Sequence, residues 1–92
     1  MYRIIDERGS GKTSRLMLLA KETGAVIACS NPQAMKQKAL AYGIVGIDFV
    51  SYHQITVPGN DYKNVLIDEL EAFTQYILGR NNLMGYSMSK DD

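Results

Sequence analysis

The glycine-rich segment at residues 6–14, which reads DERGSGKTS, constrains the fold of this chain more than any other stretch. A short apolar run at residues 2–5 precedes it, and a helix-forming run at residues 15–21 follows it. Strand, glycine-rich loop, Gly-Lys-Thr and helix in this order are typical of a phosphate-binding loop. Glycines let the backbone turn successive N–H groups toward phosphate oxygens, and the helix adds its positive dipole end at the same place. The segment therefore predicts a strand-loop-helix unit that binds phosphate.

The side chains of this segment have predicted roles of their own. The Lys12 ammonium would reach the outer phosphates, and the Thr13 hydroxyl would hold Mg²⁺. The predicted phosphate-binding residues are Arg8, Gly9, Ser10, Gly11, Lys12, Thr13 and Ser14. For Arg8, a solvent-facing loop position is an equally good interpretation. Asp6 stands six residues before Lys12, where the usual pattern has glycine, and its carboxylate would repel phosphate. The alternative for the whole segment is an ordinary glycine-rich turn between a strand and a helix.

Composition narrows the class of protein. A chain of 92 residues predicts a single domain, residues 1–92, with a small core. Ten basic and ten acidic residues cancel, so charge does not favour nucleic-acid binding, although contact through a partner or a few local lysines stays open. A single cysteine, Cys29, excludes an internal disulfide framework and favours a cytoplasmic location. No apolar run approaches the length of a membrane span, and the start of the chain is unlike a signal peptide.

Apolar runs and turn residues predict an alternation of strands and helices. The predicted strands cover residues 2–5, 25–29, 47–52, 64–69 and 83–88, and the predicted helices cover residues 12–22, 32–42 and 69–78. Asn31 is expected to cap the second helix, and Ser51 with Gln54 has the spacing of a capping box for a single turn at residues 52–55. Short connections between alternating elements favour a parallel α/β sheet, in which ligands bind at the carboxyl ends of the strands.

Two carboxylates, Asp68 and Glu69, end the fourth predicted strand. Asp68 is placed to hold Mg²⁺ through its water shell together with Thr13. Glu69 is placed to polarise an attacking water as a general base. In the alternative interpretation Asp68 and Glu71 form a helix N-cap pair, and Glu69 is a solvated acid of the first turn. The upstream loop favours the metal-site interpretation, with Thr13 and Asp68 as metal ligands and with Lys12 and Glu69 as catalytic residues.

Together, Lys12-Thr13 and Asp68-Glu69 resemble the Walker A and Walker B motifs of P-loop NTPases. The acidic pair resembles the RecA-like, helicase-like branch, here in a minimal single-domain form similar to very small P-loop proteins of phages. The resemblance implies a three-layer α/β sandwich with a mostly parallel five-stranded sheet, a RecA-like core. It implies that residues 83–88 form a sensor strand between the P-loop strand and the Walker B strand, with Ser87 and Ser89 as weak sensor candidates. It also implies ATP or another nucleoside triphosphate and Mg²⁺ as cofactors.

The activity expected from this resemblance is Mg²⁺-dependent binding of a nucleoside triphosphate, with slow or partner-dependent hydrolysis. No arginine is clearly placed as a finger, so a second copy of the chain or a protein partner would supply one. Two alternatives are a nucleotide-binding regulatory or scaffold module without turnover and, less favoured, a small nucleotide kinase. Lys36 and Lys38 are expected on a solvated helix face, with contact to nucleic acid as the other interpretation.

Overall fold

A computed structural model describes residues 3–5 and 11–89. The elements in chain order are α1 (Lys12–Thr23), β1 (Val26–Cys29), α2 (Pro32–Ala41), β2 (Phe49–Ser51), α3 (Tyr52–Thr56), β3 (Val65–Ile67) and α4 (Leu70–Leu78). The three strands form one parallel sheet in the order β2-β1-β3. Each strand is followed by a helix, which is how parallel neighbours are normally connected.

Helix boundaries agree closely with the sequence-based expectations. Helix α1 ends at Gly24, which has a φ of 77° and donates its N–H to the carbonyl of Ala20. The side chain of Asn31 caps α2 by accepting a hydrogen bond from the N–H of Ala34 at 3.1 Å. A complete capping box between Ser51 and Gln54 starts α3. Local capping chemistry therefore fixes these boundaries. In the described part of the chain, no helix has the length and apolar character needed to cross a membrane.

The predicted five-stranded RecA-like core is wrong, because the sheet has three strands within the described residues. Residues 3–5, the described part of the first predicted strand, are irregular. Residues 82–89, which include the last predicted strand and its sensor candidates Ser87 and Ser89, are irregular as well. In this segment Met84 is 93% exposed and Tyr86 is 68% exposed. An extended segment forms a strand only where a neighbour accepts and donates its backbone hydrogen bonds, and the apolar pattern alone does not supply that neighbour.

Helices cover both faces of the sheet. Helices α1 and α2 pack on the face of Ile27 and Cys29, and helices α3 and α4 pack on the opposite face around Ala28 and Val50. Neighbouring residues of β1 therefore belong to different cores, as the alternation of side chains along a strand requires. With both faces covered, the carboxyl ends of the strands remain as the place where side chains from several elements converge.

Candidate functional site

A cavity of about 300 Å³ lies where the carboxyl ends of β1 and β3 meet the first turn of α1. Its polar lining residues are Thr13, Ser30, Asn31, Lys38, Asp68 and Glu69. Strand register explains why they meet: β1 and β3 run parallel with Ala28 opposite Ile67, so the residues that follow both strands emerge at the same edge. Two motifs far apart in the sequence thus contribute side chains to one cavity.

The first turn of α1 carries the described part of the phosphate-loop segment. Gly11 is the N-cap residue with a φ of 86°, a conformation that favours glycine, and no side chain of the described residues caps the helix. The first N–H groups of an α-helix lack acceptors within the helix, so this end suits an anion. The Ser14 hydroxyl donates to the carbonyl of Gly11 at 2.9 Å, which ties it to its own turn. Arg8, Gly9 and Ser10, like Asp6, lie outside the described residues.

The two predicted catalytic residues contact each other directly. The Lys12 ammonium lies 2.9 Å from Oε1 of Glu69, and the two side chains are 26% and 52% exposed. Ion pairs this accessible to solvent typically contribute about 0–1 kcal/mol, so a phosphate group could displace the carboxylate at small cost. The pair therefore brings Lys12 to the acidic end of β3 without locking it there.

Asp68 is held by its backbone at the end of the sheet. Its N–H donates to the carbonyl of Ala28 at 3.0 Å, which extends the β1–β3 ladder by one residue. Burial and the neighbouring Glu69 carboxylate raise the pKa of Asp68, whereas Lys12 and Lys38 lower it. Since burial penalises the charged form, a cation at this carboxylate would stabilise it in the ionised state.

Glu69 has an unusual backbone conformation. Its φ of 59° makes it the one non-glycine residue with a positive φ in the described part of the chain. It is also the N-cap residue of α4, but its side chain caps no N–H group of that helix. The alternative interpretation of Asp68 as the N-cap of this helix is therefore wrong, because Glu69 is the N-cap residue and its carboxylate pairs with Lys12. Non-glycine residues in this region of φ cost free energy and concentrate at functional sites.

Sequence analysis missed Tyr52 as a residue that positions the acidic pair. Its hydroxyl donates to the carbonyl oxygen of Asp68 at 2.6 Å and lies 3.4 Å from that of Glu69. The side chain is buried, and its ring packs edge-to-face against Phe73 at 5.3 Å between centroids. Burial, with a further contribution from Asp68, raises the pKa of Tyr52 to about 12, so the hydroxyl keeps its proton and stays a donor. No local pattern in the sequence connects this tyrosine to a strand end sixteen residues away.

Lys38 is a second residue of the site that sequence analysis missed. It was expected on a solvated helix face, and it is exposed there, but it also lines the cavity together with Asp68 and Glu69. Cys29 lines the same cavity as a buried neutral thiol: burial, reinforced by Asp68, raises the pKa of Cys29 to about 11. It therefore serves as a small apolar side chain at neutral pH.

The lining residues fit Mg²⁺ only if other oxygens complete its shell. Within residues 3–5 and 11–89, no group of three or more His, Cys, Asp or Glu side chains could hold a metal ion. The two predicted ligands, the Thr13 hydroxyl and the Asp68 carboxylate, do line the same cavity. Mg²⁺ commonly keeps several waters and takes phosphate oxygens in addition to one or two protein ligands, so this pair suits a metal that arrives with a nucleotide.

No protein-family model matches the chain, and no match was found among curated proteins or among solved structures. The resemblance to P-loop NTPases stays a prediction that rests on the motifs. Function is therefore inferred from the chemistry of the cavity.

Proposed function

We propose that this protein binds a nucleoside triphosphate with Mg²⁺, with ATP as the first candidate, and hydrolyses it slowly or with the help of a partner. One observation carries the proposal: Thr13, at the start of α1, and the Asp68-Glu69 pair, at the end of β3, line a single cavity. Phosphoryl transfer depends mainly on positioning and on charge stabilisation, and this cavity brings together the groups for both.

Each residue has a distinct task in this proposal. The first turn of α1 and the Lys12 ammonium bind phosphate oxygens, and Thr13 with Asp68 would hold Mg²⁺, which neutralises phosphate charge when bound. Lys12 leaves Glu69 when it turns to the phosphates. That exchange frees the Glu69 carboxylate to orient a water and to accept its proton. Binding of the substrate therefore also releases the base.

A binding module without turnover is the second candidate, and the Lys12–Glu69 ion pair is the observation that favours it. If the pair persists beside a bound nucleotide, the base stays occupied and no water is activated. No arginine lines the cavity in the described part of the chain, so any arginine that stabilises the transition state would come from a second copy or from a protein partner.

Isothermal titration calorimetry with ATP and Mg²⁺ tests the proposal most directly. We expect the wild-type chain to bind, and we expect Lys12→Ala to lose about tenfold to a hundredfold in affinity, because hydrogen bonds to charged groups contribute about 1.5–3 kcal/mol. Lys21→Ala is the matched control, since Lys21 is an exposed lysine in the last turn of the same helix. Absence of heat with the wild-type chain, confirmed by equilibrium dialysis, would overturn the proposal.

Turnover separates the two candidates. We expect phosphate release below the usual enzyme range of about 1–10³ per second, and we expect Glu69→Gln to abolish it while preserving nucleotide affinity. Loss of affinity and turnover together would instead assign Glu69 to binding. Affinity without any phosphate release in the wild-type chain would favour the module without turnover.

A further inference from the structure

Lys38 differs from Lys12 in having no anionic partner among the described residues. Within the described residues the Lys12 ammonium is paired with Glu69, whereas Lys38 forms no ion pair. The Lys38 side chain nevertheless lines the cavity, and its charge is near enough to lower the pKa of Asp68. It is therefore a solvent-accessible cation at the edge of a site that has two carboxylates.

The charges that line the cavity indicate a role for Lys38 in binding an anionic ligand. A phosphate group placed between Thr13 and Glu69 would lie beside two carboxylates, and like charges at such distances repel strongly in a partly buried site. Lys12 and a metal ion offset part of this repulsion. Among the described residues, Lys38 is the one basic side chain that lines the cavity itself, whereas Lys12 reaches it through its ion pair with Glu69. It comes from α2 and lines the cavity together with Asp68 and Glu69. Under the proposed function Glu69 orients the water that attacks the terminal phosphate, so Lys38 shares the cavity with the groups that would face that phosphate.

We propose that Lys38 binds the terminal phosphate of the nucleotide and makes the site selective for a triphosphate over a diphosphate. This inference rests on the proposed function, because it assigns a ligand atom within the same cavity. Helix α2 would then supply within the chain a positive charge of the kind that an arginine finger supplies from a partner. The expected selectivity follows from this assignment: a diphosphate held by α1 and Lys12 lacks the terminal phosphate that Lys38 would bind.

The affinities for ATP and for ADP, measured in the presence of Mg²⁺ by calorimetry on the full chain, test this assignment. We expect Lys38→Gln to lower ATP affinity by about tenfold to a hundredfold and to change ADP affinity by less than about twofold. Lys38→Arg should restore selectivity, because guanidinium also binds phosphate. Lys36→Gln is the matched control: Lys36 is exposed on the same helix but lines a different cavity, with Gln33 and Asp48.

The outcomes distinguish this inference from the proposal on which it rests. If wild type binds both nucleotides and Lys38→Gln weakens neither, or weakens both equally, the assignment of Lys38 is overturned while nucleotide binding stands. If wild type binds neither nucleotide, both are overturned. An equal effect from Lys36→Gln would show a general electrostatic attraction and would also overturn a specific role for Lys38. Far-ultraviolet circular dichroism of each variant checks that the fold is retained.

Discussion

The two faces of the sheet are packed very differently. Among the described residues, seven side chains are buried on the α1–α2 face, and Met17 and Ile27 are fully shielded from solvent. On the opposite face three of the described side chains are buried, α4 contributes no buried residue, and Ile77 of that helix remains 56% exposed. The candidate site lies between these faces: Thr13 and Lys38 come from the densely packed side, and the acidic pair precedes the loosely packed α4. One half of the site is thus held by a core and the other by a few specific contacts.

The largest effect on stability is expected on the densely packed α1–α2 face. We expect Met17→Ala to lower the free energy of unfolding by about 2–4 kcal/mol, because it removes a fully buried side chain and leaves a cavity. Leu18→Ala, one position along the same helix at 55% exposure, should change stability by less than about 1 kcal/mol. Urea unfolding followed by circular dichroism measures both. Similar losses for the two variants would mean that burial of Met17 in the α1–α2 core is not what stabilises this face.

A smaller effect is expected where α4 begins. Glu69→Gly and Glu69→Ala both remove the carboxylate that pairs with Lys12, but only glycine adopts a φ of 59° without strain. We therefore expect the glycine variant to be the more stable of the two by about 1 kcal/mol, the lower end of the cost of left-handed backbone for other residues. In the interior of a helix the order is reversed, because glycine there destabilises a protein relative to alanine. If the alanine variant of Glu69 is the more stable of the two, a left-handed backbone at this residue is contradicted.

A substitution at Tyr52 tests how the loosely packed α3–α4 face supports the site. Tyr52→Phe keeps the ring packed on Phe73 but removes the donor to the carbonyl of Asp68, so we expect a loss of about 0.5–1.5 kcal/mol. Under the proposed function the same variant should reduce turnover more than nucleotide affinity, because it loosens the backbone that carries Glu69. Tyr76→Phe is the control, since that hydroxyl contacts exposed His53 at 3.1 Å. Equal stability losses from both variants would remove the special role of Tyr52.

The sequence predicted local features well and long-range pairing poorly. Residues such as Asn31 and Gln54 determine helix starts through contacts within three positions, so their patterns are visible in the chain itself. The segment around Met84 has an apolar alternation that suits a strand, but whether it forms one depends on a partner strand elsewhere. The expected sheet was too large for this reason, although the meeting of Thr13 with Asp68 and Glu69 was anticipated from the motifs.

The same distinction explains which site residues were missed. Lys38 reaches the cavity because α2 packs beside β1 and β2. The residues next to Lys38 in the sequence do not predict this packing. Tyr52 reaches Asp68 through a side-chain hydrogen bond across the sheet. Chemistry that depends on motifs is visible in a single sequence, whereas support that depends on packing becomes visible only in the fold.

The smallest expected effect concerns the ionisation of Asp68, and its sign depends on whether a cation is bound. Burial and Glu69 raise the pKa of this carboxyl above its ordinary value of 3.8, so the folded chain binds the proton more tightly than the unfolded chain does. Wild type should therefore lose stability as pH rises through the interval between the ordinary and the raised pKa. Asp68→Asn has no such ionisation, so we expect it to be slightly more stable than wild type at neutral pH, with the difference closing as the pH falls below 3.8.

Addition of Mg²⁺ and ATP should reverse this order of stability. A ligand that binds only the folded state stabilises it in proportion to the logarithm of its concentration over its dissociation constant, and the asparagine variant would lack the charge that attracts the metal. Thermal unfolding with and without the nucleotide measures both signs in one experiment, with the exposed Asp61→Asn as the control. A variant that is more stable alone and less stabilised by Mg²⁺ with ATP would identify Asp68 as a residue retained for binding at a cost in stability. If the asparagine variant and wild type respond equally to the nucleotide, Asp68 is a structural residue and the metal must be held elsewhere.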